Sequence, residues 1–301
     1  MTTPRIGYIG LGVMGGALAR RLLADHKLTV FDLSPERCAE FAALGATVAA
    51  SPAEVGAVSD IVLTCLPTSA QVRRVIFGDN DGLIRGMKPG GLIADQTSGA
   101  TAATRAMAAE LVPTGIELID APVSGGPRGA DAGTIAIMVG AGEAQYARIE
   151  PVLRGISPNV THVGPVGAGH TLKSLNNMMS AANRLLAFEA VSLAVANGLD
   201  AKVAVDVINK SSGMNTGTLN VFPKNIFTDD FHARFTLALM EKDVALAAEL
   251  ATGGFEGLTL TPLILRNYRM AMERFGRDAD LHEMLRFYEE AAGKPVAKKQ
   301  P

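Results

Sequence analysis

In the first half of the chain, apolar residues fall into short, nearly continuous runs separated by stretches of helical spacing. The runs predict strands from about residue 5 to Gly10, then over 28–31, 47–48, 60–66, 92–95, 116–121, 135–139 and 159–163. The intervening periodicity predicts helices over 14–24, 36–44, 70–76, 102–111 and 144–154, with another opening at Ser51-Pro52. Strands that are apolar throughout, rich in Val and Ile, and alternate with helices belong to a parallel sheet covered on both faces.

The pattern changes at Gly164-Pro165-Val166-Gly167-Ala168-Gly169. Beyond it strand periodicity is almost absent, and helices are expected over 169–197, 201–210, 235–252, 261–275 and 281–290. The first of these, about 28 residues at about 1.5 Å each, spans roughly 42 Å, a length suited to linking two domains. The fold class is therefore α/β: a doubly wound, mostly parallel Rossmann sheet, then an all-helical second domain joined by a long interdomain helix. The boundary is expected at 165/166, giving domains 1–165 and 166–301. The basic, proline-bearing tail from Gly293 is expected to fray.

The turn Gly10-Leu11-Gly12-Val13-Met14-Gly15 joins the first strand to the first helix. Its spacing has a physical reason. The first glycine makes the tight turn, the second lets backbone approach a pyrophosphate, and the third packs helix against strand. Asp32 stands at the end of the second strand, roughly 20 residues on, where a carboxylate accepts from ribose hydroxyls. A 2′-phosphate would meet charge repulsion there, and no arginine occurs before Arg37, so NAD is expected over NADP. The competing reading of Asp32 is a cap for the helix starting near Pro35.

Ligands of such sheets sit beyond the carboxyl ends of the strands. That edge collects the glycine turn, Asp32, Leu66-Pro67-Thr68, Gln96-Thr97-Ser98 and residues 121–126. Leu66 and Pro67 are expected beside the cofactor, with Gln71 and Ser98 toward its nicotinamide half; each also reads as a turn or cap residue. Asp120-Ala121-Pro122-Val123-Ser124-Gly125-Gly126-Pro127 ends a strand in a glycine-paired loop whose exposed N–H groups suit a carboxylate. In Gly167-Ala168-Gly169-His170-Thr171-Leu172-Lys173, the lysine falls in the first turns of the long helix and shares a face with Asn177. A surface lysine is the ordinary reading. Against it, Leu172, Leu175, Met178 and Met179 surround Lys173, and an apolar setting at a helix N-terminus favours giving up its proton. Lys242-Asp243 lies within a helix otherwise rich in Leu and Ala. His170, with no carboxylate in view along the chain, reads as a neighbour of the lysine.

Composition narrows this picture little. The 301 residues suffice for two cores, and 48% hydrophobic with 19% charged residues describes a globular chain. A net charge of −2 gives no reason to expect nucleic acid or an anionic membrane surface. Cys38 and Cys65 suggest neither a disulfide framework nor a metal site. Neither a signal-peptide pattern nor an uninterrupted apolar run near membrane-spanning length is visible. A cytoplasmic, reducing setting is expected.

Taken together, Gly10–Gly15, the Asp120–Gly126 loop, Gly167-x-Gly169-x-x-x-Lys173-x-x-Asn176-Asn177 and Lys242-Asp243 resemble the β-hydroxyacid dehydrogenases, the family of 3-hydroxyisobutyrate dehydrogenase. The motifs occur in family order over nearly the whole chain. The resemblance implies that Lys173 is the general acid/base. It implies that Ser124, Gly125 and Gly126 grip the substrate carboxylate, that Asn177 orients the substrate, and that Lys242 reaches cofactor and substrate. Ser98 and Gln71 match cofactor-contacting positions. The implied activity is reversible NAD-dependent oxidation of a small 3-hydroxy acid to a semialdehyde or keto acid, in a homodimer or homotetramer. Its rivals are an NADPH-linked reductase of tartronate semialdehyde or a related semialdehyde, and a non-catalytic NAD-binding sensor. Where many members carry a proline-methionine pair after the glycine turn, this chain has Gly16-Ala17-Leu18-Ala19, a change confined to helix packing.

Overall fold

The eight expected strands and one further short strand assemble into one nine-stranded sheet in the computed structural model, which describes residues 3–228, 232–250 and 259–296. They are β1 (Ile6–Ile9), β2 (Leu28–Phe31), β3 (Thr47–Val48), β4 (Ile61–Thr64), β5 (Leu92–Asp95), β6 (Glu117–Asp120), β7 (Val123–Ser124), β8 (Ala136–Gly140) and β9 (Val160–Gly164). Their spatial order is β3-β2-β1-β4-β5-β6-β8-β7, with β9 beside β8. All pairs from β3 to β6 are parallel, and only β8 runs antiparallel to β6 and β7. The winding reverses at β1, which has β2 on one side and β4 on the other. The crevice between β1 and β4 is thus the topological switch point.

Helices α1 (Val13–Leu23), α2 (Pro35–Ala43), α3 (Pro52–Val58), α4 (Ser69–Phe77), α5 (Thr101–Leu111), α6 (Gly126–Asp131) and α7 (Glu143–Arg154) connect the strands. The nearly unbroken apolar runs are explained by burial on both faces. Tyr8, Leu63 and Ala94 join a core with Leu18, Leu22 and Phe41, whereas their neighbours Ile9, Val62 and Ile93 join another with Val72 and Leu111. Alternating side chains feed both layers, so neither face can be polar.

The remaining helices are α8 (Ala168–Ala196), α9 (Ala201–Asn209), α10 (Leu237–Leu250), α11 (Leu260–Phe275) and α12 (Met284–Ala292). Compactness divides the chain into Met1–Lys173 and Ser174–Pro301, so the division falls inside α8 rather than at 165/166. The reason is local: the Asp120 carboxylate accepts from the backbone N–H groups of Gly167 and His170, tying the start of α8 to the sheet unit. In the helical unit, Phe188, Phe222, Val244, Tyr268 and Leu285 centre a second core. Residues 251–252 of the helix expected over 235–252, and residues 297–301 of the tail, lie outside the described residues.

Two features depart from the sequence pattern. Gly217–Ile226 winds as a π-helix, burying Gly217, Thr218, Val221, Phe222 and Ile226. And α8, though broken by polar residues, reaches a mean hydropathy of 1.2 over 18 residues, enough by length and composition to cross a membrane. Its Ala181, Leu185, Phe188 and Val191 are instead buried in the helical core.

Candidate cofactor and substrate site

The glycine turn has the geometry that each of its glycines was expected to require. Gly10 adopts φ +96°, and a Cβ there would strike the Cys65 carbonyl. A Cβ on Gly15 would strike the Gly10 carbonyl, whereas one on Gly12 would meet nothing within 4 Å. The open position is the one expected to admit a pyrophosphate, and α1 begins there without a side-chain cap over its N–H groups. Leu11, Val13 and Met14 complete the turn, with Leu11 buried and Val13 exposed. Asp32 Oδ2 accepts from Leu11 N–H at 2.6 Å and Oδ1 from Ser34 N–H at 2.8 Å, fixing its carboxylate against the turn. The cap of α2 is Ser34, whose Oγ accepts from Arg37 N–H at 3.2 Å, so the capping role weighed for Asp32 belongs to its neighbour. Nothing in this geometry conflicts with a dinucleotide: an open backbone, a helix terminus without a side-chain cap and a carboxylate fixed against the turn stand together.

Leu66, half-buried, and Pro67, exposed, follow β4 at the same edge, and Thr97 Oγ1 accepts from Leu66 N–H at 3.1 Å. Thr68 caps α4, and its hydroxyl donates to Gln71 Oε1 at 3.0 Å, so Gln71 takes part in that cap. Ser98 is half-buried beyond β5. Ser124 ends β7, while Gly125 and Gly126 adopt φ +142° and +65° and open α6. The left-handed pair turns the chain sharply after the serine, as only glycine does cheaply.

Lys173 is only 8% exposed. Of the side chains expected to surround it, Leu172, Leu175 and Met179 are exposed and Met178 is half-buried. Burial raises the Asp120 carboxyl above its usual range, while His170 and the N–H groups of Gly167 and His170 pull it back. A carboxylate accepting the first N–H groups of a helix is a strong N-terminal anchor.

In the helical unit, Asn177 lies four residues beyond Lys173 on α8 and is equally buried. Its Nδ2 donates to Asp243 Oδ2 at 2.6 Å, and Lys242 Nζ lies 3.0 Å from Asp243 Oδ1. Asn176 Nδ2 donates to Asn177 Oδ1 at 3.2 Å. Asn177, Asp243 and Lys242 thus form one linked polar group, with Asp243 at its centre. Sequence reasoning named Asp243 only as the companion of Lys242, and gave Asp95, Asp120 and His170 no role. Their signal was present: an acidic residue closing a fully apolar strand, or buried within a Leu/Ala helix, needs a partner.

A doubly wound sheet with this turn at its switch point and Asp32 at the end of the adjoining β2 defines an NAD(P)-binding domain. The model for the NAD binding domain of 6-phosphogluconate dehydrogenase matches residues 5–164. The model for the NAD-binding domain of NADP-dependent 3-hydroxyisobutyrate dehydrogenase matches residues 167–288. The chain is 36% identical to 2-(hydroxymethyl)glutarate dehydrogenase of Eubacterium barkeri, over 97% of each chain. It is 33% identical to the NAD-dependent L-serine dehydrogenase of Pseudomonas aeruginosa, over 96% of this chain and 99% of that one. Among solved structures, Mycobacterium tuberculosis 3-hydroxyisobutyrate dehydrogenase with L-serine superposes with a TM-score of 0.86 at 30% identity, covering 95% and 99% of the two chains. The chain belongs to the β-hydroxyacid dehydrogenase family. It is an NAD(P)-dependent hydroxyacid dehydrogenase.

Proposed function

We propose that the protein oxidises the 3-hydroxyl of a small, 3-hydroxyisobutyrate-like hydroxy acid reversibly, with NAD as its cofactor. The observation that carries this reading is Lys173: a lysine buried in the anchored first turns of α8, in a chain that also keeps the Ser124-Gly125-Gly126 loop. Lys173 Nζ takes the hydroxyl proton as the substrate is oxidised and returns it in the reverse direction. Ser124, Gly125 and Gly126 hold the substrate carboxylate. Asn177, oriented by Asp243, directs the reacting carbon, and Lys242 adds a positive charge toward substrate and cofactor. The cofactor, held by Gly10–Gly15, Asp32, Leu66, Pro67, Gln71 and Ser98, supplies the hydride acceptor when bound. Asp32 supports NAD, because a 2′-phosphate would approach a carboxylate already fixed in place by two backbone N–H groups. A homodimer or homotetramer in the cytoplasm completes the reading, supported by the exposed Leu172, Leu175, Met179, Leu186 and Leu193 along α8.

The test is a panel of 3-hydroxyisobutyrate, serine, threonate, glycerate and phenylserine, assayed with NAD and with NADP. Turnover of at least one acid, faster with NAD, is expected. Preference for NADPH and a semialdehyde would replace this reading with the reductase. Cofactor binding with no turnover on any member would replace it with the sensor.

A further inference from the structure

The turn between β2 and α2 carries a second carboxylate, Glu36, joined to Asp32 through Ser34. Of the side chains from Leu33 to Glu36, only that of Ser34 can donate a hydrogen bond: Leu33 is apolar, Pro35 opens α2, and Glu36 is acidic. Both donors of Ser34 are spent on acidic side chains. Its N–H donates to Asp32 Oδ1 at 2.8 Å, and its hydroxyl donates to Glu36 Oε2 at 2.6 Å. A hydroxyl has one hydrogen to give, and toward the Arg37 N–H, 3.2 Å away, the Ser34 oxygen accepts. The bond from Ser34 also holds the Glu36 carboxyl below its ordinary range, so the group is charged near neutral pH. Arg37, the first cation after the strand, lies 3.5 Å from Glu40 Oε2, and Glu40 Oε1 accepts from Arg20 at 3.2 Å.

We infer that Glu36 is a second determinant of cofactor choice, excluding a 2′-phosphate both by its charge and by occupying the Ser34 hydroxyl. The inference rests on the reading of Asp32 as the ribose-binding carboxylate. A ribose hydroxyl is neutral and reaches Asp32 as a donor, so it asks nothing of Ser34. A phosphate monoester in its place carries about −1.5 to −2 charges and three acceptor oxygens. Such a group needs donors and positive charge. At this turn it meets two carboxylates that have already taken the donors of Ser34, while Arg37 faces Glu40. The two carboxylates are not equivalent. Asp32 is half-buried and fixed against the glycine turn, so its replacement disturbs either cofactor. Glu36 is exposed in the first turn of α2, so its charge can be removed with Asp32 still in place. Exposure also makes its repulsion sensitive to salt.

The test is fluorescence titration of the full-length protein with NADH and with NADPH, which reads binding whether or not a hydroxy acid is turned over. Glu36→Ala removes the charge and frees the Ser34 hydroxyl, so Kd for NADPH is expected to fall about fivefold or more while Kd for NADH stays within about twofold. Glu36→Gln removes the charge but keeps an acceptor for Ser34, and its gain for NADPH should be smaller, about twofold to threefold. In the wild-type protein the preference for NADH should narrow as ionic strength rises, and in Glu36→Ala it should narrow less. An unchanged ratio of the two Kd values in Glu36→Ala, or an equal change in both, overturns the inference. Tighter binding of NADPH than of NADH by the wild-type protein would overturn the reading of Asp32 as selecting NAD. The shift in ratio between wild type and Glu36→Ala would still decide the role of Glu36.

Discussion

In the sheet unit, most candidate groups stand within a few residues of a strand's carboxyl end: Gly10 after β1, Asp32 after β2, Leu66 after β4, Asp95 and Ser98 at and after β5, Asp120 at the end of β6. In the helical unit, Asn177, Lys242 and Asp243 come from the interiors of α8 and α10, and they meet only because those helices pack. The first group is placed by backbone: parallel strands of equal length deliver their following residues to one edge. The second is placed by side chains, since no local rule brings position 177 to position 243. A site built the first way tolerates loss of one side chain without losing its shape, whereas one built the second way depends on each polar partner.

Four substitutions probe this contrast, from the largest expected effect downward. Lys173→Ala should cut turnover about a thousandfold, the range of a lost acid/base group. NADH binding, followed by fluorescence titration, should stay within about twofold, because the glycine turn and Asp32 do not depend on the lysine. Near-normal turnover would remove Lys173 from the chemistry. Next, Asn177→Asp places a second carboxylate against buried Asp243 and should cost about 3 kcal/mol in urea unfolding. Adding Asp243→Asn restores one donor and one carboxylate, and most of that loss should return. If the double variant is no better than the single, the helical group is not the linked unit described here.

Within the sheet unit, the glycines separate binding from folding. Gly12→Ala adds a Cβ that meets no protein atom, so the melting temperature should hold while Kd for NAD rises about tenfold or more. Gly15→Ala drives a Cβ onto the Gly10 carbonyl, so stability should fall first. An unchanged Kd in Gly12→Ala would empty the turn of its cofactor role. The smallest effect belongs to the opposite edge of the sheet. There the Arg5 guanidinium and backbone N–H hold the Asp60 carboxyl down to about 2, from an ordinary 3.8. A depressed folded value means that the contribution is complete above about pH 4 and disappears as pH falls toward 2. Both partners are largely exposed, so screening limits it to under about 1 kcal/mol. Asp60→Asn should flatten the acid limb of a stability-versus-pH curve by that amount and leave turnover untouched; a larger loss would give this edge a weight its exposure does not predict.

The same contrast explains what was legible beforehand. Strand β5 was expected over 92–95 and lies at Leu92–Asp95; the start of the long helix was expected at 169 and lies at Ala168. Burial on both faces makes such strands apolar throughout, and a run of that kind is readable without knowing its neighbours. The short β7 and α6 were not anticipated, because two strand residues and a six-residue helix carry too little periodicity. The π-helix escaped for a different reason, its apolar spacing belonging to another winding. Of the candidate site, the glycine turn and Asp32 were visible because their spacing is itself the geometry. An apolar setting for Lys173 was expected from its sequence neighbours; the lysine is buried, while Leu172, Leu175 and Met179 beside it are exposed.

By itself the sequence determined most of the strands and helices, the mostly parallel character of the sheet, the glycine turn with its carboxylate, and the motifs that mark the family. These are short-range properties, encoded in periodicity and in spacings of a few residues. Tertiary structure alone decided that Asp120 reaches 50 residues along the chain to anchor His170 and that Asp95 meets the ring of that same residue. It also decided that Asp243 links Asn177 to Lys242. Each of these joins buried polar groups distant in sequence, and burial demands a partner without specifying which one. Only the packed chain supplies it.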